Sequence, residues 1–225
     1  MEIKPAILET SLENIREKLM HVQGLVPLVQ IDMCDGVFVP SQTYGYAAEE
    51  PVMEVLLAEL IKSKLNVEYD LMINFKKNQL FLDRWLAFIH FSRPQRVLFH
   101  FSSLNQDQWP TIFNSIDERS TEILMAVSLQ DDVVDILKTF AQYNFKGIQI
   151  MGIMKIGFSG EELHAKTYIL LNELAKHTDT LFVDGGVTLE NAPTLKKHGA
   201  TSLATTSALF KSESIVESLS AFRAI

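Results

Sequence analysis

The chain has 225 residues, 47% of them hydrophobic, and 28 acidic against 20 basic side chains give a net charge of −8. That length and apolar fraction allow one large core, and a barrel of this size remains a single domain, 1–225. No basic block is available to neutralise a phosphate backbone, so no nucleic-acid partner is expected. Apolar runs such as 80–89, broken by Asp83 and Arg84, fall well short of the ~18 residues of a membrane span.

The start, Met1-Glu2-Ile3-Lys4-Pro5, lacks the basic residues and apolar run of a secretory signal, and the sole cysteine, Cys34, excludes a disulfide within the chain and a Cys-based zinc site. A reducing, cytoplasmic setting is expected. The first strand is predicted over 3–8. Thr10-Ser11-Leu12-Glu13 then reads as a capping box with Thr10 as the cap, opening the first helix. A second strand over 28–33 leads into a long polar-tipped loop. Glu49-Glu50-Pro51 places acids and a first-turn proline ahead of a helix over 52–62.

Further strands are expected over 66–73, 96–101, 123–127, 147–152, 181–184 and 202–205, with helical periodicity between most of them. Asp131-Asp132 caps a helix over 133–140, and Thr188 opens one over 189–198 that Gly199 stops. Eight strands alternating with helices predict a single (β/α)8 TIM barrel. A doubly wound open sheet is written with the same units and is the alternative. The barrel is favoured because reactive residues fall at the C-terminal ends of several different strands.

Alternation points Gln30 and Asp32 to one side of their strand, Glu68 and Asp70 share a face of the third, and Asp184 ends the seventh before Gly185-Gly186. Buried polar groups are costly unless something uses them. Converging Asp32, Asp70 and Asp184 would repel unless a cation sat among them, and oxygen donors from three aspartates and Gln30 favour a hard ion such as Mg²⁺ or Mn²⁺ over Zn²⁺. The competing reading for any one aspartate is a helix cap or loop anchor. Gly157-Phe158-Ser159-Gly160, Gly185-Gly186 and Thr206-Ser207 follow the last three strands, where barrels commonly bind phosphate through backbone N–H groups.

His100 on the fourth strand reads as a core or supporting histidine rather than a catalytic one, Cys34 as a packed thiol, and Met33, Met72, Met151 and Met154 as filling around the barrel mouth.

Pro5-Ala6-Ile7-Leu8, the stretch from Gln30-Ile31-Asp32 through Cys34-Asp35-Gly36-Val37-Phe38-Val39-Pro40-Ser41, Asp70-Leu71-Met72, Gly157-Phe158-Ser159-Gly160, Val183-Asp184-Gly185-Gly186-Val187 and Ser207-Ala208-Leu209-Phe210 occur in an order and spacing that resembles the ribulose-phosphate 3-epimerases over nearly the whole chain. The resemblance implies a barrel of the ribulose-phosphate-binding type. It also implies epimerisation at C3 that interconverts ribulose 5-phosphate and xylulose 5-phosphate, or a related ketose phosphate, through an enediolate. Asp32 and Asp184 fall on the acid/base positions. A divalent metal (Mg, Mn, Fe, Co or Zn), a small phosphorylated sugar and a homo-oligomer complete what it implies. The chain departs from the pattern in five places. Gln30 and Asp70 stand where the family has its two metal-binding histidines, and Ala6 replaces a serine. Thr206 replaces a glycine, and the 151–157 segment is one residue longer and lacks a proline. Those departures keep two other readings open: a phosphosugar-binding barrel that has lost its metal and its catalysis, and an isomerase or lyase for another ketose phosphate.

Overall fold

The computed structural model describes residues Met1–Ile225. Eight strands close into a parallel barrel in sequence order: β1 (Glu2–Ile7), β2 (Leu28–Cys34), β3 (Asn66–Met72), β4 (Arg96–His100), β5 (Glu122–Val127), β6 (Ile148–Met151), β7 (Leu181–Asp184) and β8 (Ser202–Thr205). Closure through the β1–β8 pair, Lys4 opposite Ala204, excludes the open doubly wound sheet. Each predicted strand lies within a residue or two of the observed one. β4 is cut at His100 because Phe101–Ser103 winds into a 3₁₀ turn.

The helices are α1 (Leu12–Val22), α2 (Val52–Ser63), α3 (Gln79–Ser92), α4 (Trp109–Ser115), α5 (Val133–Phe140), α6 (Lys166–Leu174), α7 (Ala192–Lys197), α8 (Ser207–Phe210) and α9 (Ile215–Arg223). None is long and apolar enough to cross a membrane. Three helix starts differ from expectation. α1 is capped by Ser11, whose Oγ accepts from the Asn14 amide at 3.3 Å, and not by Thr10. The helix begins at Leu12, which moves the cap one position along and breaks the Thr10–Glu13 spacing. Pro51 stands at the N-cap of α2 rather than inside its first turn, and Glu49 is drawn away by Arg84 of α3, Nη1 to Oε1 2.6 Å.

α7 is shorter than 189–198. Thr188 and Asn191 exchange hydrogen bonds, the Asn191 side chain accepting from the Thr188 amide at 2.9 Å and the Thr188 hydroxyl from the Asn191 amide at 3.3 Å. This local turn competes with helix and delays its start to Ala192, just before Pro193. The Asp132 cap of α5 is observed as expected, its carboxylate accepting from the Val134 and Asp135 amides.

Alternation divides the core. Outward side chains such as Val29, Ile31, Leu71, Val97, Ile123 and Ile150 join the helices in one continuous apolar layer. A separate small cluster, Leu98, Leu124, Ala126 and Phe182, fills the barrel interior. Many of the other inward positions are polar: Lys4, Gln30, Asp32, Glu68, Asp70, His100, Gln149 and Asp184 are all buried. So many buried polar groups cannot be held by packing, and each needs a partner or a ligand.

Candidate active site

The β-register brings the carboxylates to one level. Asp32 lies opposite Asp70 across the β2–β3 pair, and Asp184 lies opposite Met151 and Ala204. Asp32, Asp70 and Asp184 converge so that one carboxylate oxygen from each lies within 4.8 Å of the others. Gln30, one inward step below Asp32, joins them: its Nε2 donates to Asp32 Oδ1 at 2.8 Å and to Asp184 Oδ2 at 2.6 Å.

The electrostatics follow from burial and crowding. Asp32 is pushed well above the ordinary carboxylate range by burial, then by the charges of Asp184 and Asp70, with the Gln30 hydrogen bond opposing. Asp184 is raised to about 6 by burial and by Asp70, against the Gln30 hydrogen bond and the charge of Lys4. Cys34 is buried, and burial together with the neighbouring aspartates raises its thiol pKa, so it is a packed thiol as expected.

Above the carboxylates a small cavity opens, lined by Asp32, Asp184, Gly157, Phe158, Ser159, Gly160, Gly185, Gly186, Thr206 and Ser207. Both expected acid/base residues and all eight expected phosphate-loop residues thus border one space. Gln30 and Asp70 do not line it, and both are fully buried. The glycines are required here. Gly186 has φ +72°, and a Cβ on it would come 2.4 Å from the Leu163 amide nitrogen. Ser41 from the β2 loop donates to the Gly157 carbonyl, tying the motif loop to the β6 loop. Asp35 is a loop anchor: its carboxylate accepts from the amides of Val37 (2.8 Å), Phe38 (2.7 Å) and Asn74 (2.8 Å).

His100 is the buried supporting histidine expected, its Nε2 2.7 Å from Asp70 Oδ1, but three features were missed by the sequence reading. Two are Lys4, fully buried and paired with Glu68, and Gln149, whose Nε2 donates to Asp70 Oδ2 at 2.9 Å. Strand alternation carried the signal, since Lys4 and Gln149 interrupt otherwise apolar runs on inward positions. The third is Lys211, whose Nζ lies 3.7 Å from where a Cβ on Gly160 would stand, at the edge of the glycine loop.

The donor set suits a hard divalent cation. Gln30 turns its amide nitrogen toward two carboxylates and leaves its buried Oε1 without a partner. An amide can offer this cluster a donor or an acceptor, and a cation among the oxygens is what favours the acceptor.

A closed parallel barrel whose reactive groups and glycine loops gather at the C-terminal rim is the architecture of (β/α)8 enzymes. The family model described as the ribulose-phosphate 3 epimerase family matches residues 2–210, and the chain belongs to that family. A ribulose-phosphate 3-epimerase of Methanocaldococcus jannaschii is 24% identical over 218 residues, covering 96% of this chain and 86% of that one. Among solved structures, KGPDC from Streptococcus mutans in complex with D-R5P superposes with a TM-score of 0.73 at 10% identity, covering 99% of this chain and 95% of that one. The 3-hexulose-6-phosphate synthase of Salmonella typhimurium gives 0.68 at 12% identity, covering 99% and 96%. At those identities the two structures bear on the fold alone.

Proposed function

We propose that the protein epimerises a ketose phosphate at the carbon beside its ketone, with ribulose 5-phosphate and xylulose 5-phosphate as the reference pair. The observation that carries this reading is the Asp32–Gln30–Asp184 arrangement: two buried carboxylates from β2 and β7, joined by one amide and facing one cavity. Inverting a carbon needs a base on one face and an acid on the other. Two neighbouring carboxylates, each raised above the ordinary range by burial and by like charge, are disfavoured from both being ionised, which suits one to act as acid and the other as base. In this reading Asp32 and Asp184 exchange the C3 proton. Gly157, Phe158, Ser159, Gly160, Gly185, Gly186, Thr206 and Ser207 hold the phosphate and so set where C3 sits between them.

Gln30, Asp32, Asp70 and Asp184 would hold a divalent cation, whose contribution when bound is to stabilise the negative charge that develops on the substrate oxygens as the proton leaves. An all-oxygen set favours Mg²⁺ or Mn²⁺ among the candidates Mg, Mn, Fe, Co and Zn. The same reading takes the chain as a cytoplasmic homo-oligomer with a small phosphorylated sugar as its only ligand besides the metal.

The test is solvent deuterium exchange at C3 of ribulose 5-phosphate with each of the five metals. Absence of both exchange and epimerisation would remove that substrate, and a panel of ketose phosphates would then separate an isomerase or lyase for a related sugar. One observation favours a second reading, a non-catalytic phosphosugar-binding barrel. The Gln30 amide already bridges Asp32 and Asp184 without a cation. That reading requires sugar-phosphate binding indifferent to chelators and to Asp184→Asn.

A further inference from the structure

We propose that Lys4 and Gln149 form a positioning relay that fixes the Asp70 carboxylate from beneath the site. This inference deepens the proposed function and rests on it. Lys4 on β1 is fully buried. Its Nζ pairs with Glu68 of β3, lies 3.4 Å from Gln149 Oε1 of β6, and sits 4.5 Å above the Phe182 ring of β7. The relay therefore crosses the barrel from one side to the other.

Hydrogen-bond chemistry leaves Gln149 no choice of orientation. An ammonium is a donor only, so the Gln149 carbonyl oxygen must face Lys4 and its amide nitrogen must face Asp70, to whose Oδ2 it donates at 2.9 Å. The other Asp70 oxygen is met by His100 Nε2 at 2.7 Å; an ionised carboxylate only accepts, so with Asp70 ionised that nitrogen is the donor. The His100 ring is itself held edge to face by Phe38, centroids 5.2 Å apart. Asp70 is thereby gripped on both oxygens by two donors from different strands, and its remaining lone pairs are left for the cluster with Asp32 and Asp184.

The grip matters because Asp70 meets both Asp32 and Asp184, with one carboxylate oxygen from each within 4.8 Å of the others. A carboxylate free to rotate would compete with Asp32 and Asp184 for the Gln30 amide. Partners of this kind behind a metal ligand typically contribute about 10–100-fold in metal affinity. Gln149, Lys4 and His100 are thus positioning residues, acting through Asp70.

A double-mutant cycle tests the relay on the full-length protein, with Mn²⁺ alone titrated calorimetrically and kcat and KM for ribulose 5-phosphate measured in parallel. Gln149→Met keeps the side-chain length and removes the donor. It is expected to weaken Mn²⁺ binding about tenfold and lower kcat with KM little changed, while the combined Asp70→Asn/Gln149→Met protein is no worse than Asp70→Asn alone. Lys4→Met/Glu68→Gln removes both buried charges together, which avoids stranding the glutamate, and is expected to match Gln149→Met because it frees the Gln149 amide to turn. Wild-type affinity and kcat in Gln149→Met, or losses that multiply in the Asp70→Asn/Gln149→Met protein, overturn the relay and leave the proposed function standing. If the wild-type protein neither binds Mn²⁺ nor turns over, the proposed function falls and the relay falls with it.

Discussion

Asp184→Asn should make the protein more stable while stopping its chemistry. Asp184 is raised from 3.8 to about 6 by burial and by Asp70, so the folded state holds this proton more tightly than the unfolded chain. The sign follows: stabilisation by the protonated form is complete below the unfolded value and disappears as pH rises through about 6. At neutral pH the ionised group costs on the order of 3 kcal/mol, from 1.36 kcal/mol per pKa unit. Asparagine keeps the shape and still offers an oxygen to Gln30 Nε2, but carries no charge. In urea melts with chelator present, the stability advantage of the variant over wild type should widen from about 1 kcal/mol near pH 4.5 to about 3 kcal/mol above pH 7. Since ~1 kcal/mol moves the melting temperature of a chain this size by about 2–4 °C, the effect is easily read. C3 exchange should fall at least ~100-fold, the lower end for loss of an acid/base group. A variant as stable as wild type at every pH, or less stable at high pH, would refute the electrostatic account of the site.

A divalent cation that binds the folded cluster should reverse the same penalty, raising wild-type stability by about 2.7 kcal/mol at ~100 times its dissociation constant. Thermal melts with and without Mg²⁺ or Mn²⁺ check this, and Asp184→Asn should respond less. Gly186→Ala forces a Cβ to within 2.4 Å of the Leu163 backbone at a φ of +72°. It should cost about 1–3 kcal/mol in a urea melt and raise KM for the phosphorylated substrate. Lys211→Ala removes the cation beside Gly160 and should raise KM several-fold with kcat little changed, an effect absent for an unphosphorylated sugar.

Much of the fold was legible because its strands are short branched-apolar runs punctuated by turn residues, a signal that needs no knowledge of what packs on what. Asp32 and Asp184 were legible for the same reason, each being a polar break at the end of such a run. Helix starts were less so. Thr10 against Ser11, and Thr188 against Ala192, depend on which of several adjacent polar side chains wins the local hydrogen bonds. The support beneath the site was hidden by distance along the chain. Lys4 reaches Gln149 across 145 positions and Glu68 across 64, and only barrel closure makes them neighbours.

The buried charges also explain why the proposed metal and the proposed proton belong together. Asp32, Glu68, Asp70 and Asp184 are buried inside the barrel, and Lys4 is the one fully buried cation among them. Arg96 reaches Glu68 only at 3.6 Å and divides its guanidinium between Glu2 at 2.7 Å and Glu122 at 3.1 Å. Glu68, raised by burial and lowered by Lys4, forms one balanced pair with it. Three aspartates then remain uncompensated, which an interior of low polarity does not tolerate. One divalent cation and one proton are the smallest addition that neutralises them. In the proposed reaction that single proton, shared by Asp32 and Asp184, would make one of them the acid and the other the base. A site built this way should hold metal and proton interdependently: each protonation weakens the metal, and each metal bound expels a proton to solvent. Proton release measured in two buffers of different ionisation enthalpy during Mn²⁺ titration should therefore be detectable at pH ~5.5, below the value of about 6 to which Asp184 is raised, and be smaller in Asp184→Asn. Mn²⁺ binding with no proton release at that pH would separate the cation from the aspartate pair and break the link.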